Sequence, residues 1–143
     1  MVFTDAELHY LASQPLGRLA TSQPDGTLQV SPVGFRYNPR TGTIDIAGHN
    51  MAASRKFRNV ADNGRVAFVV DDLASVTPWR PRMLEIRGHA EALTTPTDSA
   101  YGDPSGGFDG AIIRIHPHRL ISFAVNDPIG DVQRLKIHTR DVG

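Results

Sequence analysis

Between Leu16 and Val125 the chain reads as short strand-like segments set apart by turn signals, and a single segment breaks the pattern. Leu16 to Ser22 is strand-like and runs into Pro24-Asp25-Gly26, a tight-turn signal. Leu28 to Tyr37 forms a second strand, closed by the turn Asn38-Pro39-Arg40-Thr41-Gly42, and Thr43 to Ala47 alternates apolar and polar residues as a third. Arg65 to Val70 is an apolar run that predicts a buried fourth strand. Met83 to Leu93 sets Leu84 and Ile86 against Glu85 and Arg87 as a fifth, and Ala111 to Val125 makes a long sixth. Six strands joined mostly by hairpins predict a mainly β protein with a six-stranded antiparallel barrel, closed or split, and a few short helices. Closing the sheet would also remove exposed strand edges.

Two stretches carry helical signals. Thr4-Asp5-Ala6-Glu7 has the spacing of a capping box and predicts a helix through about Ala12, ended near Pro15. Met51 to Asn63 switches period: Ala53, Phe57, Val60 and Ala61 share one face, and Gly64 is placed to end the helix. Thr94 to Gly110 is rich in Thr, Pro, Gly and Asp and predicts a short helix and a surface loop. Residues 1–125 form the expected barrel domain; residues 126–143 form a polar, turn-rich tail expected to be ordered against a partner.

Composition narrows the function classes. In 143 residues, fifteen basic side chains balance fifteen acidic ones, which argues against nucleic acid or an anionic membrane as the main partner. Any basic site is therefore local. Without cysteine there is no disulfide, thiolate nucleophile or cysteine-ligated metal. The N-terminus lacks the basic and apolar regions of a signal peptide, and no apolar stretch is long enough to span a bilayer, so a cytoplasmic location is expected.

The strongest chemical signal is the stretch from His49 to Asn59. Here a strand ends, the chain turns through Asn50 and Met51, and a helix begins with Ser54-Arg55-Lys56 and Arg58. A helix N-terminus presents unpaired amides and a positive dipole end. Ser54, Arg55 and Lys56 add a hydroxyl, a planar fork and a mobile ammonium suited to a phosphate. The plain alternative is a solvated helix face, and composition alone does not choose.

A strand, then Ser-Arg-Lys opening a helix, then Asn59 before a buried strand, resembles the pyridoxamine 5'-phosphate oxidase-like split-barrel superfamily. The resemblance also takes in Gly17-Arg18-Leu19-Ala20-Thr21, Pro24-Asp25-Gly26 and the segment Glu85 to Leu93, and covers roughly residues 5 to 125. It implies an FMN-binding split barrel, homodimeric, with two cofactors at the interface. Arg55 and Lys56 would hold the phosphate of FMN or of the deazaflavin coenzyme F420, with Ser54 adjacent. Val30-Ser31-Pro32-Val33 would run beside the ring. Pyridoxamine phosphate oxidases carry an Arg and a Lys on the second strand and end in an Arg-Leu-x-Pro segment; here Gln29 to Phe35 holds no cation and Arg134-Leu135 is followed by Lys136-Ile137. These departures point away from B6 oxidation. They favour the deazaflavin-dependent reductase branch of actinobacteria, to whose dehydrotetracycline-reductase-like members Gly17 to Val70 and Thr77 to Arg82 are similar.

The remaining candidates stay open. Trp79, the single tryptophan, lies among prolines and could cover the cofactor or a flat substrate, with Arg80 or Arg82 meeting an acidic tail; it could equally plug the barrel mouth. His116 and His118 share a strand face, but with no third ligand nearby they read as surface histidines and not as a metal site. Asp71 and Asp72 point to opposite faces and read as solvated strand-end residues. Tyr37 and His49 are both possible proton donors. Three functions follow: an F420-dependent reductase of an activated double bond in a planar conjugated substrate; an FMN-dependent oxidase or flavin reductase; or a non-catalytic flavin- or haem-binding barrel.

Overall fold

The computed structural model describes residues 2–95, 102–103, 107–126 and 136–143. Helix α1 (Asp5–Ala12) is followed by β1 (Gly17–Ser22), β2 (Leu28–Val33), β3 (Arg36–Asn38) and β4 (Thr43–His49). A 3-10 turn (Met51–Ala53) leads into α2 (Arg55–Asn63). After it come β5 (Arg65–Ser75), β6 (Arg80–Leu93), β7 (Gly102–Asp103), β8 (Phe108–Phe123) and β9 (His138–Asp141).

The capping box sets the start of α1. Thr4 Oγ1 accepts from the Glu7 amide at 3.2 Å, and the Glu7 carboxylate accepts from the Thr4 amide at 2.8 Å. At the far end of α2, Gly64 adopts φ +70°, and a Cβ there would sit 2.2 Å from His89 Cε1. Only glycine both turns this corner and leaves room for the imidazole.

All nine strands among the described residues belong to one sheet, ordered β2-β1-β5-β6-β8-β4-β3, with β7 and β9 adding to β8. Every pairing is antiparallel. The two ends of that path, β2 and β3, are the two halves of the expected second strand. Gly34 and Phe35 join them, so the sheet must curl until its ends are a dipeptide apart. The break at Gly34-Phe35 is the split in the barrel.

Alternate residues fill the interior. Leu19, Ile44, Ile46, Phe68, Leu84, Ile86, Ile113 and Ile115 are each no more than 1% exposed. Burying such side chains stabilises by about 1.5–3 kcal/mol apiece before the cost of ordering them. Phe35 packs edge-on against Phe68 with centroids 5.2 Å apart, which anchors the split to the core.

Several expectations change. The second strand breaks in two because its halves pair with β1 and β4 respectively. The fourth and fifth strands lengthen into a long hairpin, β5–β6, which carries Asp71 and Asp72 inside the sheet. The sixth starts earlier, at Phe108, and ends before Ala124, which turns the chain at φ +60°. The helix expected from Met51 becomes a 3-10 turn and then α2. Of the helix and loop expected over residues 94–110, Gly102–Asp103 form a strand; residues 96–101 and 104–106 lie outside the described residues. The end of the tail is ordered on its own chain: β9 pairs with β8, and Arg140 reaches across to the Glu7 carboxylate at 2.7 Å.

Strand direction places the helices. α1 lies by one end of the β5–β6 hairpin, where the Tyr10 hydroxyl donates to Asp72 at 2.9 Å. α2 lies at the other. Asn63 donates to the Ser22 carbonyl at 2.8 Å, Asn59 to Thr21 Oγ1 at 3.0 Å, and His89 covers Gly64.

Candidate functional site

The junction between β4 and α2 is shaped by a tight reversal. Asn50 takes the left-handed conformation at φ +46°, which an Asn tolerates better than most residues. The Ala52 amide is held by Asp109 Oδ2 at 3.0 Å. Met51 turns inward and is 1% exposed, so it serves as a core plug under α2 and offers no surface to a ligand. His49 stays exposed, its ring edge-on to Phe108 with centroids 5.2 Å apart.

Ser54 caps α2. Its hydroxyl donates to the Met51 carbonyl at 2.7 Å and accepts from the Phe57 amide at 3.2 Å. The hydroxyl proton expected for a phosphate is thus already engaged, and Ser54 instead fixes where the helix begins. The amides of Arg55 and Lys56, the first two of the helix, have no partner within it and remain to face a ligand.

The charges around them are unusual. Arg18, Arg82, Arg87, Arg114, Arg119 and Arg140 each meet a carboxylate. Arg55, Lys56 and Arg58 meet none within ion-pair distance among the described residues. The first turn of α2 contains no acidic residue. Cations at the positive end of a helix dipole repel it, and like charges this close repel one another. Asp25 in the β1–β2 turn feels the charge of Arg55. Its carboxyl is held below the usual range mainly by hydrogen bonds from Thr27, and only in smaller part by Arg55. A cation cluster on a helix N-terminus has the chemistry to receive an anion.

β2 runs alongside. Val30 and Pro32 project to the outside; Ser31 and Val33 turn toward the barrel, with Val33 only 6% exposed. The four residues therefore cannot present one wall, because alternate side chains face opposite sides. Two buried polar atoms near this wall have no hydrogen-bond partner: Ser31 Oγ and Asn59 Oδ1. Asn59 was not picked out by sequence reasoning as a site residue. Its Nδ2 also donates to Gln29 on β2 at 3.3 Å, so it ties α2 to the strand.

Other expected residues fall elsewhere. Trp79 and Arg80 sit at the tip of the β5–β6 hairpin, at the end of the sheet away from α2. Trp79 is 60% exposed, so it is not a plug. Asp71 and Asp72 do face opposite sides, but neither is a solvated strand end. Asp71 pairs with Arg18 at 2.8 Å, and Asp72 accepts from Arg82 Nε and Tyr10, each at 2.9 Å. Hydrogen bonds from Arg82 hold the Asp72 carboxyl below its ordinary range, while burial, with help from Asp72, pushes the Tyr10 phenol upward. His116 Nε2 lies 2.7 Å from Glu91 Oε2 and His118 is exposed. Among the described residues no three His, Asp or Glu side chains converge as metal ligands. Tyr37 packs edge-on against Phe3 at 5.6 Å, away from α2.

A split antiparallel barrel with a cation-bearing helix across one end defines a recognisable class. The chain belongs to the pyridoxamine 5'-phosphate oxidase family, whose model matches residues 3–124. It is 42% identical, over 99% of its length and 94% of the relative's, to a 5a,11a-dehydrotetracycline/5a,11a-dehydrooxytetracycline reductase of Streptomyces rimosus. Among solved structures, it resembles a conserved hypothetical protein of Mycobacterium tuberculosis with TM-score 0.65, 23% identity and 85% of each chain covered. It also resembles a FAD-binding protein of Mesorhizobium loti with TM-score 0.60 and 18% identity, over 84% of this chain and 93% of that one. No helix among the described residues is long and apolar enough to cross a membrane.

Proposed function

We propose that this chain is a homodimeric oxidoreductase that binds reduced coenzyme F420 and reduces an activated double bond in a flat, conjugated substrate. The observation that carries the reading is the uncompensated cation cluster at the start of α2. The donor set suits a flavin-type cofactor: the fork of Arg55, the ammonium of Lys56 and two free amides fit a phosphate, and Ser54 holds them in register. When bound, the reduced cofactor supplies hydride to one carbon of the double bond, and a proton completes the other.

The chain's own part is binding and positioning. Arg55 and Lys56 hold the anionic end of the cofactor, and Val30 and Pro32 offer the exposed side of β2 to its ring. His49 shares the β4–α2 junction with the cations, whereas Tyr37 is packed elsewhere, so His49 is the group placed to hold the proton. The relative from Streptomyces, by its name a reductase of dehydrotetracyclines, supports a fused planar ring system as substrate.

The test is a side-by-side titration of coenzyme F420 and FMN into one apo preparation. Micromolar F420 binding with weaker FMN binding is expected. Tight FMN binding without F420 binding would replace this reading with the FMN-dependent one.

A further inference from the structure

We infer that Asn59 is a positioning residue: through Gln29 it fixes the spacing between the phosphate grip on α2 and the strand β2 that faces the cofactor ring. This rests on the cofactor reading above.

Helix geometry places Asn59 close to the cations. It follows Lys56 by three positions and Arg55 by four, so it lies one turn, about 5 Å, further along the same side of α2. Its side chain leans back toward that first turn. Asn59 is only 1% exposed, with its amide turned onto the wall of the barrel. There Nδ2 donates to Thr21 Oγ1 at 3.0 Å and to Gln29 Oε1 at 3.3 Å. Thr21 and Gln29 stand directly opposite each other in the β1–β2 ladder. One amide therefore spans the pair and clamps the helix to both strands.

β2 needs the clamp. It ends the sheet path, and among the described residues it pairs with β1 alone. The tight turn at Gly26 joins the two, and past Val33 the barrel is split. A strand held on one side can pivot about its neighbour. Among the described residues, the bond from Asn59 to Gln29 is the hydrogen bond that ties β2 to α2. Asn63, one turn further on, makes a clip of the same kind, but it donates to the Ser22 carbonyl on β1 and stops there.

Packing does not explain an asparagine at this position. Asn59 Oδ1 and, on β2, Ser31 Oγ are buried without a hydrogen-bond partner. Orphaned polar atoms destabilise a fold, and an apolar side chain would fill the space without that cost. What the amide adds is a directional link from the cation-bearing helix to β2. The phosphate and the ring belong to one molecule, so holding both gains affinity only when their two sites keep the matching separation.

Asn59→Leu removes the clamp. Gln29→Leu cuts only its link to β2 and carries the test should the first variant fail to fold. Asn63→Ala removes the clip that stops at β1. For these and wild type, Kd is measured for coenzyme F420, for its phosphate-free ring and polyol, and for inorganic phosphate by competition, with urea midpoints alongside. If wild type takes FMN instead, FMN and riboflavin replace the first two. Asn59→Leu and Gln29→Leu are expected to weaken the whole cofactor roughly tenfold, while each fragment binds as it does to wild type. Asn63→Ala is expected to lower the urea midpoint and leave all three Kd values unchanged. Wild-type affinity for the whole cofactor in Gln29→Leu would overturn the inference. So would equal weakening of the whole and of a fragment, or losses in all variants that track the urea midpoint. A wild-type chain that retains neither F420 nor FMN would overturn the cofactor reading as well.

Discussion

The two helices close opposite ends of one barrel and are built on opposite electrostatic plans. α1 begins with Asp5 and Glu7, acids at the positive end of its dipole, and the buried one, Glu7, is answered by a cation. The Glu7 carboxylate, only 3% exposed, is held by Arg140 and the Thr4 amide, and Tyr10 is tied to Asp72 and Arg82. α2 begins with Arg55, Lys56 and Arg58, with no acid in its first turn and no ion pair among the described residues. The α1 end is complete within the chain. On the proposed reading, the α2 end is satisfied when the cofactor's phosphate arrives. The contrast would then separate a stabilising end from a binding end in a protein whose net charge is zero.

The largest expected effect lies at the complete end. Arg140→Ala leaves the Glu7 carboxylate buried without its cation and should cost about 2–3 kcal/mol, the low side of a broken buried pair because Arg140 is partly exposed. Urea denaturation measures it, and cofactor affinity should not change. A loss of affinity instead would mean that the two ends are coupled.

The pH dependence of stability should also follow the α1 end. Asp72 is held below its ordinary range, so its contribution is present above about pH 4 and is lost as pH falls through the lower folded value. Tyr10 is raised, so its contribution is present below about pH 10 and fades as pH rises beyond that. Asp72→Asn should flatten the acid limb of a plot of urea midpoint against pH and reduce the alkaline limb only in part, because burial is the larger cause of the Tyr10 shift. Unchanged limbs would show that the cluster is not coupled to folding.

How much of this was legible in the sequence differs between the two ends. The capping box of α1 and the Ser-Arg-Lys start of α2 are local, and spacing along the chain was enough to find both. Gly64 as a helix stop was local too. What escaped depends on partners far apart in sequence. Leu28 to Tyr37 reads as one strand because nothing within it says that its halves pair with different neighbours. Asp71 and Asp72 look solvated until Arg18, Tyr10 and Arg82 are brought beside them. The tail reads as ordered against a partner until Arg140 meets Glu7 of its own chain. Ser54 was read as a ligand donor, although its cap geometry engages the hydroxyl with Met51 and Phe57. Trp79 reads as a cover for the cofactor or a plug for the barrel mouth because sequence order does not reveal that a long hairpin carries it to the end away from α2.

The smallest expected effect is the most contrary to intuition. Arg58→Glu places an acid in the first turn of α2 and should stabilise the apo protein by about 0.3–1 kcal/mol while weakening cofactor binding. Destabilisation of the apo protein would mean that the cluster is compensated after all and that the contrast between the ends is overstated.

The central claim, that the start of α2 grips the cofactor phosphate, is tested most directly by titrating coenzyme F420 into wild type and Lys56→Ala, with urea midpoints measured on both. The account expects affinity to fall by about 1–3 kcal/mol, the scale of a lost charge-assisted hydrogen bond, and the apo midpoint to stay where it is. Equal affinity in the two proteins would contradict it and return Arg55, Lys56 and Arg58 to the status of a solvated helix face.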